Sequence, residues 1–369
     1  MEHRDDERLG SRPGRRGPAR VGPVNLRDVA VHAGVSPATA SRVFGGSDKV
    51  NAATRAKVLA SANELGYVVN GLARAMQGRG PKTMAFLVGA MIGPTFASLA
   101  AGAERVAGEN SHLLFISTTR GSAEREAELI ATLREQRVGA VLLVGSTQSD
   151  AIFDERVASY AKDLAAVGAP LILCGRPPVA GHPELIAVDY DQAAGIGMAV
   201  DELAGLGHRR IAYVGGPRGT TTAELRLDGF VAAMERNGIQ SDPELIRTAT
   251  NSEDDGARAV AALLAEGRGA SAIVTMTDNI AVGAYRAARA AGLRIPEDLS
   301  VIGFDDAPIV GDLTPGLTTV RPQFYDVGVR AAQIALGLIP AQSVLFTPTF
   351  VRRGSAGPVP GGGALIAAR

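Results

Sequence analysis

Short apolar runs recur along most of the chain: TMAFLVGA, HLLFIST, GAVLLVG and PLILCG, then, after a second start at ELIAVD, RRIAYVGG, SAIVTM and LSVIGFDD. Between them lie amphipathic stretches such as SAEREAELIATLREQ, each roughly ten to fifteen residues long. Runs this continuously apolar suit strands buried on both faces, which means parallel sheets flanked by helices. Two such series predict two doubly wound lobes, with ligands at the carboxyl ends of the strands, in the cleft between the lobes. A chain of 369 residues is also long for a single core, so further domains are expected.

The front of the chain follows another rule. Residues 1–23 are rich in Arg, Pro and Gly with almost nothing to bury, and are expected to be a disordered basic tail. In LRDVAVHAGVSPATASRVF, Leu26, Val29, Ala30 and Ala33 fall on one helical face. Gly34 can take the positive φ that ends a helix, Ser36 is a good N-cap, and Pro37 suits a first helical position. One continuous helix would have to absorb Gly-Val-Ser-Pro, which is costly. Two helices and a turn are therefore predicted, with Ala40 and Val43 facing inward. A third helix from Asn51 to Leu65 would close the bundle with Val58, Leu59, Ala62 and Leu65.

Charge separates these parts. Up to Gly80 there are 13 Lys/Arg against 7 Asp/Glu, a net of +6, while the remaining 25 and 31 leave −6. A basic front end on an acidic body points to a polyanion partner for the front end alone. On the outward face of the second helix, Ser36, Thr39 and Ser41 can reach phosphates and Arg42 suits bidentate reading of guanine. The single cysteine, Cys174, excludes an intrachain disulfide, no apolar run reaches membrane-spanning length, and the charged start lacks a secretory h-region. A soluble cytoplasmic protein is expected. Scattered His3, His32, His112, His182 and His208 form no catalytic or metal spacing, and GPRGTTTAE lacks the Gly-Lys-Ser/Thr end of a phosphate loop. Neither an enzyme nor a cofactor site is expected. A secreted solute receptor would share the body's architecture but would not need residues 24–77.

The headpiece sequence, continued by VNAATRAKVLASANELGYVVNGLARAM, resembles the DNA-binding headpiece of the lactose/galactose repressor family (LacI/GalR). Thr54-Arg55-Ala56-Lys57-Val58 and Leu65-Gly66-Tyr67-Val68-Val69-Asn70 match family motifs, as do LGHRRIAYVGGP, LRLDGF, LTTVRP and the stretch from Thr277 to Asp306. The resemblance implies an all-α helix-turn-helix headpiece plus an α/β body like periplasmic sugar-binding proteins. The expected boundaries are 24–69 for the headpiece, 70–80 for a hinge helix and 81–354 for the body. Within the body, one lobe would hold 81–187 and 323–340, the other 188–320 and 345–352, leaving 355–369 as a flexible tail. It further implies DNA contacts from Leu26, Ser36, Pro37, Ala38, Thr39, Ser41, Arg42, Asn51, Thr54, Tyr67, Asn70 and Ala73, with Met76 as a minor-groove wedge where the family usually has Leu. Function follows as a ligand-responsive regulator, most often a repressor, acting as a homodimer on a palindromic operator.

For the effector, the resemblance implies Phe96, Gly175, Arg176, Arg226, Asn251, Thr277 and Asp305. Arg226 matches the family's anchoring arginine and Asp305 its sugar-hydroxyl acceptor; a structural ion pair bridging the lobes is the alternative for both. Several acidic or amide positions are changed: Ala90 and Gly93 stand for Asp and Asn, Gly175 for an acidic residue, and Thr277 for Asn. A pocket that keeps its arginine and loses sugar-hydroxyl acceptors favours an anionic ligand, a sugar acid or sugar phosphate, facing Arg226 and also Arg176. The tail lacks a leucine heptad, so a dimer rather than a tetramer is expected.

Overall fold

In the computed structural model the described residues are 24–67, 83–90, 94–148 and 151–359. The chain divides into two compact units, residues 1–79 and 80–369. In the first, α1 (Leu26–His32), α2 (Pro37–Phe44) and α3 (Ala52–Glu64) close around Val29, Ala30, Ala33, Ala40 and Val58, all fully buried. Each helix begins on a side-chain cap: Asn25 forms a capping box with Asp28, Ser36 Oγ accepts from Thr39 N at 3.1 Å, and Asn51 Oδ1 accepts from Thr54 N at 2.8 Å. Gly34 sits at φ 63°, as the turn requires. Leu59, expected inside, is 48% exposed; the third helix buries Val58, Ser61 and Ala62 instead, one turn apart on the facing stripe.

The second unit opens with six parallel strands in spatial order β11-β5-β4-β3-β1-β2. These are β1 (Thr83–Val88), β2 (Leu113–Thr118), β3 (Ala140–Val144), β4 (Leu171–Cys174), β5 (Ile186–Tyr190) and β11 (Val344–Phe346). Alternation sets its two faces. Met84, Phe86 and Val88 join the core under α4 (Pro94–Glu109) and α11 (Phe324–Ala335). Ala85 and Leu87 join the core under α5 (Ala123–Glu135) and α6 (Ala151–Ala165). Backbones of α4 and α11 meet: a Cβ on Gly328 would stand 2.1 Å from Leu99 O.

A second parallel sheet, in order β7-β6-β8-β9, comprises β6 (Ile211–Gly215), β7 (Ile246–Thr248), β8 (Ala272–Thr275) and β9 (Ser300–Ile302). Around it lie α7 (Gln192–Gly205), α8 (Thr221–Arg236), α9 (Glu253–Ala265) and α10 (Asp278–Ala290). β10 (Thr319–Arg321) pairs antiparallel with β12 (Thr349–Val351).

Three boundaries differ from the sequence expectation. ELIAVD does not start the second lobe: β5 extends the first sheet, Ile172 opposite Ile186, because its alternate side chains complete both faces of that core. The single final strand near 345–352 is two, since Pro348 cannot continue the ladder; β11 joins the first sheet and β12 the small one. The tail is not free from residue 355: Ser355 is fully buried, His208 Nε2 lies 3.0 Å from Gly357 O, and Val359 N donates to Leu206 O. HLLFIST also departs from the doubly buried pattern, for β2 is a sheet edge with Leu113 65% and Phe115 54% exposed.

Candidate functional site

On the headpiece, Ser36, Pro37, Ala38, Arg42 and Asn51 are exposed, while Thr39, Ser41 and Thr54 are half-buried. Ser36 and Thr39 hydroxyls lie 2.9 Å apart, so both are held by the N-cap they build. Leu26 and Tyr67 pack against the small core, and the Tyr67 ring sits 5.4 Å from that of Phe44. These two therefore support the helices through packing. Arg55 Nη2 donates to Ser47 O at 2.7 Å, fixing the turn after α2 against α3. Asn70, Ala73 and Met76 lie outside the described residues, as does Gly93.

In the body the order of strand addition reverses between β1 and β3 in the first sheet and between β6 and β8 in the second, and crevices form at such points. Phe96, near the start of α4, lies over Gly145 just past β3, where a Cβ would come within 2.8 Å of its ring. Arg226 of α8 is 2% exposed and central. Its Nε donates to Gln192 Oε1 at 3.2 Å, Nη2 to the Tyr190 hydroxyl at 3.0 Å, and Nη1 to Met276 O. Asp305 Oδ1 lies 3.6 Å from Nη2, and the guanidinium rides 3.7 Å above the Phe304 ring. Tyr190 meets Phe324 edge-on at 5.2 Å, closing an aromatic frame.

Asp305 itself is held at φ 116°, a left-handed backbone that a non-glycine residue adopts only under constraint, and its N–H donates to Val320 O. Burial pushes its carboxyl up to about 6, against the pull of Arg226. Burial likewise raises Asp189 to about 7 and Asp278 to about 8, the latter also feeling Asp305. Burial alone would lower Arg226, but Tyr190, Asp305 and Tyr213 together more than offset it, so it stays charged. At neutral pH Asp305 is ionised beside Arg226, so the two form a buried ion pair while Asp278 stays largely protonated.

Thr277 caps α10 and donates to Asn251 Oδ1 at 2.7 Å; Thr277 is buried and Asn251 exposed. Gly175 sits at φ 64° facing Leu99. Arg176 is not brought to Arg226. Its Nη2 donates to Val144 O at 3.3 Å and lies 3.8 Å from Glu126, and it stacks 5.5 Å over Phe153, on the α5/α6 face. Gly175's left-handed backbone breaks the strand alternation and turns the next side chain onto the face of Leu173. Tyr190, Gln192, Met276 and Phe304, which grip Arg226, were not singled out from sequence; only the aromatics at the ends of AVDY and IGF hinted at them.

Residues 25–70 match bacterial regulatory proteins of the lacI family, and 200–356 match a periplasmic binding protein-like domain. The ribose operon repressor of Escherichia coli is 32% identical over 336 residues, covering 90% of this chain and 99% of that protein. This chain belongs to the lacI family. The lac repressor dimer bound to operator and the anti-inducer ONPF superposes with TM-score 0.78 at 28% identity, over 90% of this chain and 99% of that one. A complex of the transcriptional regulator CelR with cellobiose gives TM-score 0.67 at 29% identity, over the same shares. In this lacI-family chain the helix-turn-helix is α1 and α2, and the periplasmic-binding-like body carries the Arg226 cluster. No helix among the described residues is long and apolar enough to cross a membrane.

Proposed function

We propose that this chain is a cytoplasmic, non-catalytic regulator, in most contexts a repressor, whose headpiece holds a palindromic operator as a homodimer under control of a small hydroxylated anion. The observation that carries the reading is the buried Arg226–Asp305 pair at the carboxyl ends of the strands, on the same chain as a capped helix-turn-helix. Arg226 spends three N–H groups on Gln192, Tyr190 and Met276 and turns Nη2 toward Asp305 as well, leaving one N–H on Nη1 for a ligand's carboxylate or phosphate. Asp305 takes a hydroxyl. A second copy is expected against β2, whose Leu113, Phe115 and Ile116 face solvent together at an edge of the first sheet.

The test selects operators from a random duplex pool, then follows binding by fluorescence anisotropy with sugars, sugar acids and sugar phosphates added. The expected result is a symmetric site, binding that falls steeply with salt, and a shift only with anionic ligands. No preference for symmetric over scrambled duplex would sink the regulatory reading; a response to neutral sugars alone would sink the anionic one.

A further inference from the structure

We infer that Asp306 is a positioning residue: clamped by Arg321 and Arg353, it aims the Asp305 carboxylate at Arg226 and fastens that aim to the strands crossing between the lobes. The inference takes its meaning from the proposed role of Asp305, but it stands on geometry and is tested without a ligand. Asp305 and Asp306 are consecutive non-glycine residues with left-handed backbones, at φ 116° and 52°. Such residues are strained and persist only where their surroundings over-determine them.

The surroundings do so here. Asp305 N donates to Val320 O at 2.8 Å on one side, and Ala307 N to Asp278 Oδ2 at 2.7 Å on the other. Between these two points the Asp306 side chain is gripped on both oxygens. Oδ2 accepts from Arg321 Nε at 2.5 Å and Oδ1 from Arg353 Nη2 at 2.7 Å. The Asp306 side chain is 9% exposed, so these charge-assisted bonds are less screened than surface pairs. Arg353 is fixed in turn: its N donates to Thr318 Oγ1 at 2.9 Å and its Nη1 to Leu317 O at 2.8 Å. A carboxylate held at two corners cannot turn, and the backbone it pins sets where its neighbour's carboxylate points.

Where the two arginines stand gives the clamp its reach. Arg321 ends β10, which runs on into α11 of the first lobe, and Arg353 follows β12, which returns from β11 of that lobe. β10 and β12 pair antiparallel, with Arg321 opposite Thr349. Asp306 therefore ties the Asp305 loop to both strands of this crossing. Any rotation of one lobe against the other passes through those strands, so the aim of Asp305 and the angle between the lobes are mechanically linked. An ion pair that merely stabilised the loop would leave the coupling between Arg226 and Asp305 untouched, and that difference can be measured.

The test is a double-mutant cycle in the full chain, Arg226→Met against Asp305→Asn, read by urea unfolding at pH 5 and pH 7. It is run in the wild type and in Asp306→Asn, which removes the ionic grip while asparagine still tolerates a left-handed backbone. Tyr190 of β5 and Asp278 of α10 also face Asp305, but burial raises both, so at pH 7 Tyr190 is neutral and Asp278 largely so. The coupling should be larger at pH 7 than at pH 5 in the wild type, and that difference should fall by at least half in Asp306→Asn. Asp306→Gly, which reaches φ 52° freely but grips nothing, should lose it too. Coupling retained in Asp306→Gly would show that backbone alone aims Asp305, and overturns the proposal. Unchanged coupling in Asp306→Asn, at whatever overall stability, overturns it equally. Should both Asp306 variants fail to fold by circular dichroism, Arg353→Gln, which frees one corner, decides by the same criterion. Absence of coupling in the wild type at pH 7 overturns the proposal and, unlike the other outcomes, takes the effector pair with it.

Discussion

Arg226→Met should destabilise the body by an amount that grows with pH. Below pH 6 Asp305 is neutral, so the variant loses only the bonds to Tyr190, Gln192 and Met276 and the stacking on Phe304. Stranding those buried acceptors costs roughly 1–3 kcal/mol each at most, less where they re-pair. Above pH 6 a second cost enters. Asp305 reaches about 6 with Arg226 beside it, whereas Asp278, whose partners are Thr319 and the Ala307 N–H, stands at about 8. Removing the guanidinium should move Asp305 toward that second value. A shift of about two units is worth roughly 2–3 kcal/mol at ~1.4 kcal/mol per unit. The sign follows from a raised carboxyl: its contribution is fully present below the unfolded value and is lost as pH rises through the folded one. In the wild type that loss ends near pH 6; in the variant it continues to about pH 8. Urea unfolding followed by far-UV circular dichroism at pH 5, 6, 7 and 8.5 measures the gap, and Asp305→Asn should abolish its pH dependence. A gap constant across that range would refute the coupling.

On selected operators, Arg42→Ala should cost about 1–3 kcal/mol at one base pair of each half-site, read by anisotropy on single-substituted duplexes. Uniform weakening would make Arg42 a phosphate contact. Leu113→Asp with Phe115→Asp should leave a monomer at micromolar concentration in sedimentation velocity, with operator affinity lost in parallel. Gly328→Ala should destabilise the body by about 3 kcal/mol, the upper end for overpacking, because its Cβ would meet Leu99 O at 2.1 Å and backbone cannot step aside as a side chain can. Thermal melting that matches the wild type would show that α4 and α11 can slide apart.

Local chemistry was the legible part. Gly34, Ser36 and Pro37 act within a few residues of where they stand, so the turn, the cap and the start of α2 follow from them directly. Apolar runs likewise marked most strands, since burying a peptide backbone demands a ladder. Run composition could not separate β2 from β3: HLLFIST and GAVLLVG are both apolar, but one lies at the sheet edge and the other in its middle. Pairing decides that, and it depends on distant segments. The same limit hid the membership of β5 and β11 in the first sheet. In the cleft, Arg226 and Asp305 carried family motifs, while Tyr190 and Gln192 reach Arg226 across 36 and 34 residues of chain. Arg176 was misplaced by its neighbour's φ, which no pattern of residue types reports.

Under the proposed function, the direction of the regulatory response depends on how a ligand treats the bond between Arg226 and Tyr190. Tyr190 ends β5 in the first sheet, whereas Arg226, Met276 and Asp305 belong to the second lobe, so the hydrogen bond from Arg226 Nη2 to Tyr190 ties the two lobes together deep in the cleft. At the mouth, Thr221 N to Thr147 O, Thr147 N to Thr221 Oγ1, Thr222 N to Ser146 Oγ and the Gln148–Thr220 backbone bridge add further ties. Each is worth about 0.5–1.5 kcal/mol net. In the proposed regulator a ligand's effect on closure is not fixed by its affinity. An anion that uses the remaining Nη1 N–H keeps the Tyr190 tie and adds contacts available only when the lobes are shut, so it stabilises closure. One that takes Nη2 away from Tyr190 trades a bond between lobes for a bond to itself, and gains nothing from closure at that point. Tyr190→Phe removes the distinction, since both kinds of ligand then meet the same unlinked guanidinium. Under the proposed function, inducing and corepressing ligands of this chain share Arg226 and Asp305 and differ in how they treat the Tyr190 hydroxyl.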